Sequence, residues 1–93
     1  MMHYFMYEGQ VYHINRRCLE GLKVYIEHGA RPGGFLSAVL ANDFVEIVAA
    51  ADGENMQNLP AYADYLYNHA PRDCWGSKQA LEAWIKKKRE ERE

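Results

Sequence analysis

The sequence HGARPGGF at residues 28–35 joins two segments whose apolar residues have the spacing of helices. The segment before it predicts a helix over roughly 16–28, with Asn15 as the N-terminal cap. Gly29 supplies the left-handed position that often ends a helix. A second helix is predicted to begin near residues 33–34, so this stretch contains one helix end and one helix start.

The first predicted helix presents Leu19, Leu22 and Ile26 on one face. It also contains Gly21, and a glycine inside a helix costs about 1 kcal/mol relative to alanine. That cost indicates that a neighbouring element approaches the helix closely at this point.

The N-terminal residues 2–14 predict a short β-hairpin, because aromatic and β-branched residues flank a turn at Glu8-Gly9-Gln10. An isolated hairpin is marginally stable in water, so we expect it to pack on helices. A chain of 93 residues suffices for one core, and it is predicted to be a single mainly α domain of about five helices behind the hairpin. The predicted parts of this domain (1–93) are the hairpin (1–14), the helical core (15–85) and a charged helical tail (86–93).

A third helix is predicted over roughly 44–51, after Asn42 and Asp43 interrupt the second one. Asp43 and Glu46 have the spacing of a capping box, in which each side chain bonds the backbone N–H of the other residue. Asp52-Gly53 is expected to end this helix. The residues expected to face the core are Phe44, Ile47, Val48 and Ala51.

The fourth predicted helix ends at His69 or Ala70 and contains Pro60 near its start. Proline is tolerated in the first turn of a helix but removes a hydrogen bond deeper inside it. The helix therefore either begins at Asn58 or begins earlier and is kinked. Its apolar repeat consists of Met56, Leu59, Ala63 and Leu66.

The last predicted helix follows a loop at residues 71–76, in which Trp75 is the expected anchor. Ser77 is expected to cap this helix. Residues 86–93 contain no apolar side chain and are expected to form a solvated face. The residues expected to face the core are Leu81, Trp84 and Ile85.

Composition and charge argue against several classes of function. The formal net charge is −2, whereas proteins that bind a nucleic acid polymer usually present a basic surface, so none is expected as a partner. No apolar run approaches the roughly 20 residues of a membrane span, and the N-terminus lacks the pattern of a signal peptide. Cys18 and Cys74 are expected to be reduced, and the histidines lack the spacing of metal motifs. No metal, cofactor or membrane partner is expected.

The glycine-rich stretch combines three features of an anion-binding site. A helix N-terminus presents unpaired N–H groups and a partial positive charge, and Gly33 and Gly34 would let an anion approach the backbone. Arg31 adds a cation whose fork fits phosphate. The stretch matches neither GxxxxGK[ST] nor GxGxxG. The alternative is a tight helix–helix turn in which the glycines serve packing alone.

Side chains near this stretch are candidates to complete the site. Aromatic rings can stack on a nucleobase, and Asn or Asp side chains can bond hydroxyls or base edges. Tyr12 and Tyr25 are singled out because the hairpin and the first helix are expected to border the stretch. For Asn42 and Asp43, helix capping is the strong alternative role. The candidate ligand-binding residues are Tyr12, Tyr25, His28, Arg31, Gly33, Gly34, Phe35, Asn42 and Asp43.

A catalytic site has weaker support in the sequence. His28 and Asp43 can be read as a general-base pair, but a chain this small rarely encloses a cleft that excludes water. We therefore expect a protein that is not an enzyme and has no catalytic residues.

One pattern extends over nearly the whole chain, from the hairpin to Ile85. Its motifs are GLKVYIEHG at 21–29, RPGGFL at 31–36, AVL at 38–40, Asn42-Asp43, YLYN at 65–68 and CWGS at 74–77. This pattern resembles a family of short proteins encoded by tailed phages. It is similar to phage sponge proteins of the anti-CBASS class, which bind and sequester cyclic nucleotide immune signals.

The resemblance implies a phage immune-evasion protein in the cytoplasm of the infected bacterial host. Such a sponge binds a signal, for example a cyclic dinucleotide, between the protomers of a homo-oligomer (dimer or tetramer) and does not cleave it. Arg31, Gly33 and Gly34 would then hold phosphates, and a Tyr or Phe would stack the bases. Two alternatives stay open: a protein–protein inhibitor of a host defence complex, such as an anti-CRISPR-like factor, and a small phosphodiesterase using His28.

Overall fold

The computed structural model describes residues 2–92, in which six α-helices follow a two-stranded antiparallel hairpin. This architecture confirms the predicted mainly α class with an N-terminal hairpin. A 3-10 turn at Arg72–Cys74 precedes the last helix. The elements are β1 (His3–Tyr7), β2 (Gln10–Ile14), α1 (Arg16–His28), α2 (Gly34–Ala41), α3 (Phe44–Ala50), α4 (Gly53–Gln57), α5 (Leu59–His69) and α6 (Lys78–Arg92).

The hairpin is closed by a two-residue turn in which Glu8 and Gly9 both have positive φ, the conformation whose twist suits antiparallel strands. Phe5 and Tyr12 lie opposite each other, with ring centroids 6.4 Å apart. Both rings pack against the helical core, and Ile14 at the end of β2 is fully buried. The hairpin thus packs on the helices, as its marginal stability in isolation requires.

The pair formed by α1 and α2 has the boundaries that the sequence predicts. The side chain of Asn15 accepts a hydrogen bond from Cys18 N at 2.9 Å, and Gly29 ends α1 with a φ of 73°. A Cβ atom on Gly21 would lie 2.9 Å from Leu36 Cδ1, which confirms the predicted close approach of a neighbouring element.

The core lies between α1, α2, α5 and α6. Tyr25 is fully buried within it and donates its hydroxyl to the Cys74 carbonyl at 2.7 Å. The indole Nε1 of Trp84 donates to the carbonyls of Tyr25 and Ile26 at 3.2 and 3.1 Å. These bonds attach α6 and the preceding loop to the end of α1.

The prediction that α3 faces the core was wrong. Phe44 is 74% exposed and Val48 is also exposed, while Ile47 and Ala51 are partly buried. Asn42 has a φ of 57° and turns the chain, so that α3 packs on α2. The inner face of α2 already contributes to the core, and α3 therefore lies outside it with most of its apolar surface uncovered.

The segment before Pro60 contains a short helix, α4, that the spacing of apolar residues in the sequence did not predict. The structure ends α3 at Ala50 with Ala51 as its C-cap, before the predicted Asp52-Gly53, and Asp52 instead caps α4 by accepting a hydrogen bond from Asn55 N at 2.8 Å. Asn58 separates α4 from α5, and Pro60 lies in the first turn of α5. The start at Asn58, rather than an earlier kinked start, is therefore correct. Met56 belongs to α4 and is exposed, not part of the core.

The last helix begins at the predicted cap, where Ser77 Oγ accepts a hydrogen bond from Ala80 N at 3.0 Å. Its charged end is helical up to Arg92, and Glu93 lies outside the described residues. Lys88 is not merely solvated, because its stem packs on Gly29 and its Nζ lies 5.0 Å from the centroid of the Trp84 ring. None of the helices in residues 2–92 has the length and apolar composition of a membrane span.

Candidate ligand-binding groove

A groove of about 710 Å³ runs along α1 to the connection between α1 and α2. Three arginines line it, two from the first turn of α1 and one from the connection. Because guanidinium groups stay protonated in proteins, the lining favours an anionic ligand. The lining residues are Arg16, Arg17, Glu20, Gly21, Val24, Ala30, Arg31 and Pro32.

Arg31 is held by a two-point ion pair with Glu82 of α6. Its Nη1 donates to Glu82 Oε2 at 2.8 Å and its Nη2 to Oε1 at 2.5 Å. The hydrogen bonds raise the pKa of Arg31 and lower the pKa of Glu82. Both side chains are about half exposed, so the pair fixes the orientation of the guanidinium more than it stabilises the fold. In the free protein, the Glu82 carboxylate therefore occupies the guanidinium group of Arg31 that would bind an anionic ligand.

Arg16 and Arg17 line the groove but were not among the predicted ligand-binding residues. Within residues 2–92, neither guanidinium has a carboxylate within 4.0 Å. Their position in the sequence is unusual, however. The first turn of α1 has no acidic residue, and cations at this end of a helix interact unfavourably with the helix dipole. Two arginines at an unfavourable helix position indicate a role outside helix stability. Glu20 is the acidic residue that lines the groove beside them.

The glycines after Pro32 are required neither by packing nor by backbone conformation. Gly33 has a φ of −67°, and a Cβ atom on Gly33 or Gly34 would meet nothing within 4 Å. Both residues are exposed, and within the described residues no side chain caps the N-terminus of α2. The interpretation that these glycines serve packing alone therefore has no steric basis.

The aromatic candidates lie away from the groove lining. Tyr25 is fully buried, so neither face of its ring is open. The edge-to-face contact of Phe35 with Tyr62 has a centroid distance of 5.2 Å. Tyr12 stacks on Phe5 within the hairpin. The structure thus groups Arg31 with the arginines of α1 rather than with these rings.

The polar candidates are occupied by the backbone or stand apart. Asn42 forms the left-handed C-cap of α2, and Asp43 accepts a hydrogen bond from Glu46 N at 3.3 Å. His28 is exposed at the last residue of α1. Within residues 2–92 no ion pair joins it to Asp43, so the general-base pair is not formed in this arrangement.

A second surface, on α3 and α5, is apolar. We call the exposed residues Phe44, Val45, Val48 and Tyr67 the α3 patch. Phe44 and Tyr67 also line a cavity of about 510 Å³ between α3 and α5. Trp75 contributes to the same cavity and packs partly on the core, as predicted for the loop anchor.

Comparison of the chain with protein-family models, with curated proteins and with solved structures found no match.

Proposed function

We propose that this protein binds a phosphate-bearing nucleotide, such as a cyclic dinucleotide, in the groove along α1 and sequesters it without cleavage. The observation that carries the proposal is that Arg16, Arg17 and Arg31 line one groove. Guanidinium groups bind phosphate by two parallel hydrogen bonds. The resemblance to anti-CBASS sponges supports the choice of ligand, and with it a role against bacterial immunity in the cytoplasm of an infected host.

The positive charges lie at two ends of the groove. Arg16 and Arg17 begin α1, whereas Arg31 follows its end, and a helix of 13 residues is about 20 Å long. Gly21 and Val24 line the middle. Cations at both ends of the groove suit a ligand that has two phosphates, and Glu20 is the one acidic residue of the lining between them. This description fits a dinucleotide better than a mononucleotide.

At the Arg31 end of the groove, Glu82 competes with a ligand phosphate for the guanidinium group. The carboxylate occupies both donor positions that a phosphate would use. A ligand phosphate would exchange with Glu82, and the guanidinium would already have the orientation for two-point binding. Part of the binding free energy is then spent on separating the pair, and this cost is small because both side chains are about half exposed.

A binding role without hydrolysis agrees with the groove lining. Its titratable side chains are three arginines and Glu20. Arginine binds anions but does not act as a base, because it does not lose its proton in proteins. Glu20 alone would have to activate water in an open groove.

We propose that the α3 patch joins two copies of the chain. Phe44 and Val45 are each 74% exposed, and the seven residues of α3 include a single charged one, Glu46. A surface that covers this helix is therefore expected to be apolar as well, because contact with it removes apolar side chains from water. A two-fold contact provides one, because it places the same patch on both sides. Burial of this surface would offset the small core of a short chain.

Isothermal titration of tag-free protein with cyclic dinucleotides tests the binding site. Inorganic phosphate and a nucleoside monophosphate serve as ligands with one phosphate. We expect Arg17→Gln and Arg31→Gln to weaken binding of a cyclic dinucleotide by about tenfold or more each, since hydrogen bonds to charged groups contribute about 1.5–3 kcal/mol. Lys23→Gln removes a cation from the same helix but outside the groove, and we expect it to bind normally.

Two results would contradict the nucleotide proposal. One is the absence of heat with every cyclic nucleotide from protein that is folded by circular dichroism. The other is an equal loss of affinity in Lys23→Gln and Arg17→Gln, which would indicate a general charge effect. Chromatography of the ligand after release from the protein should return it intact, and a cleaved product would favour the phosphodiesterase alternative with His28.

The exposure of α3 also favours a second candidate function, inhibition of a host defence complex through the α3 patch. Size-exclusion chromatography with light scattering distinguishes the two uses of the patch. A mass above the 10.8 kDa of one chain is expected if the patch joins two copies. A mass of one chain, together with a stoichiometric host protein in a pull-down that Phe44→Glu abolishes, would favour the inhibitor instead.

A further inference from the structure

Three potential metal ligands meet where β1 contacts α5. His3 Nε2 lies 2.8 Å from Asp64 Oδ2, and the ring centroids of His3 and His69 are 5.2 Å apart. One ligand atom from each of the three residues lies within 4.8 Å of the others. We infer that His3, Asp64 and His69 bind a divalent transition-metal ion of the Zn²⁺ type, independently of the groove along α1.

The donor set selects the class of ion. Imidazole nitrogens suit Zn²⁺, Ni²⁺ and Co²⁺, whereas Ca²⁺ and Mg²⁺ prefer oxygen ligands throughout. Zinc binds His nitrogen at about 2.0–2.1 Å and carboxylate oxygen at about 2.0–2.2 Å, so two of its ligand atoms lie roughly 3.4 Å apart. The His3–Asp64 separation of 2.8 Å and the 4.8 Å limit of the cluster lie on either side of this value, so the side chains would have to rotate by a small amount to bind the ion. Two histidines and one carboxylate are the ligand set of many metal sites that keep an open position.

Neighbouring side chains orient the ligands. Asn68 Nδ2 donates to Asp64 Oδ1 at 2.8 Å, which leaves Oδ2 directed at His3. The ring of Tyr65 packs beside both imidazoles, with its centroid 5.3 Å from that of His3 and 5.8 Å from that of His69. Hydrogen-bonded carboxylates and restrained imidazoles are the supporting interactions that metal sites use.

Exposure differs within the cluster and indicates how the ion would be held. The side chains of His3 and Asp64 are 15% and 17% exposed, whereas His69 is exposed. The ion would therefore be anchored on the two less exposed ligands, with its remaining positions open to water or to a ligand. Because His3 belongs to β1 and the other two residues to α5, the ion would also fasten the hairpin to the helix.

The sequence gives no linear sign of this site. Asp64 and His69 are five residues apart, whereas helical residues on one face are three or four apart. His3 is separated from Asp64 by 61 positions. The expectation that the chain has no metal site rested on linear spacing, and the fold supplies the third ligand from another element.

Titration of tag-free protein with Zn²⁺ and with Co²⁺ tests the inference. We expect one ion per chain, a visible Co²⁺ absorption band, and a Tm that rises with Zn²⁺ because the ion binds the folded state. Asp64→Asn and His69→Gln should each weaken Zn²⁺ binding by at least about tenfold, and Asn68→Ala should weaken it by about tenfold through loss of support for Asp64.

The matched control is His13→Gln. His13 Nε2 also contacts a carboxylate, Glu54 Oε2, at 2.8 Å between the hairpin and a helix, but the pair belongs to no three-ligand cluster among residues 2–92. It should leave Zn²⁺ affinity unchanged. The inference is overturned if folded protein takes up no Zn²⁺, if His69→Gln retains full affinity, or if His13→Gln loses as much affinity as His69→Gln.

Discussion

Gly29 and Lys88 approach so closely that a Cβ atom on residue 29 would lie 2.5 Å from Lys88 Cβ. Gly29 also has a φ of 73° and donates its N–H to the Tyr25 carbonyl at 2.8 Å. The end of α1 therefore rests on α6 at a point where a side chain has no room. Arg31 follows two residues later and meets Glu82 of the same helix, so this contact also positions one end of the groove.

Gly29→Ala should destabilise the fold. The left-handed conformation costs an alanine about 1–2 kcal/mol, and the clash with Lys88 adds an overpacking cost of about 1–3 kcal/mol. We expect the free energy of unfolding in urea to fall by at least about 2 kcal/mol. Gly33→Ala is the control, since residue 33 has space and an ordinary φ, and it should change stability by less than about 0.5 kcal/mol. Similar losses in both variants would contradict the packing argument.

Gly34→Ala separates ligand contact from folding. A Cβ atom at residue 34 meets nothing within 4 Å, so the Tm should stay the same or rise slightly. If a phosphate approaches the first turn of α2, the added methyl group should weaken nucleotide binding severalfold in calorimetry. If Gly34→Ala binds the nucleotide with unchanged affinity, the ligand contacts the arginines and not the Gly33-Gly34 pair.

Glu82→Gln should strengthen nucleotide binding. The substitution removes the charge that competes for Arg31, so the Kd should fall severalfold. The gain should shrink at high salt, because salt screens exposed charges. The measurement is calorimetry at low and high salt, and a weaker affinity at low salt would show that Glu82 supports the site instead of competing for it.

Phe44→Glu should separate the proposed oligomer. It places a charge in the α3 patch without disturbing the core, since Phe44 is 74% exposed. Light scattering should then report the mass of a single chain. Val11→Glu makes the same change at an exposed position of the hairpin and should leave the mass unaltered. An oligomer that persists in Phe44→Glu would show that another surface joins the copies.

Stability should decrease at alkaline pH. Burial raises the pKa of the Cys74 thiol to about 11, above the value of about 8.5 in an unfolded chain. The folded state therefore favours the neutral thiol, and the resulting stabilisation is present below about pH 8.5 and is lost as the pH rises towards 11. Burial also raises the pKa of Tyr25, which extends the loss to higher pH.

Urea denaturation at a series of pH values measures this effect. Cys74→Ala should flatten the decline in unfolding free energy between about pH 8.5 and 10, whatever its effect on stability at neutral pH. Cys18→Ala, at the half-buried cysteine, is the matched control and should keep the decline. An unchanged slope in Cys74→Ala would assign the pH dependence to other groups.

The features that the sequence determined by itself depend on residues within a few positions of one another. The caps at Asn15, Asp43 and Ser77 set helix starts through hydrogen bonds to backbone N–H groups three residues ahead. The close approach at Gly21 was predictable for a related reason, because a glycine that weakens a helix implies a contact that requires it.

Only the tertiary structure decided which surfaces are covered and which charges meet. Phe44, Val45 and Val48 are exposed because α3 packs mainly on α2, and the local sequence pattern does not contain this information. Arg31 contacts Glu82, which is 51 positions away in the sequence, and His3 contacts Asp64, which is 61 positions away. Helix boundaries follow from short-range hydrogen bonds, whereas the groove, the α3 patch and the His3 cluster follow from packing between elements that are distant in the chain.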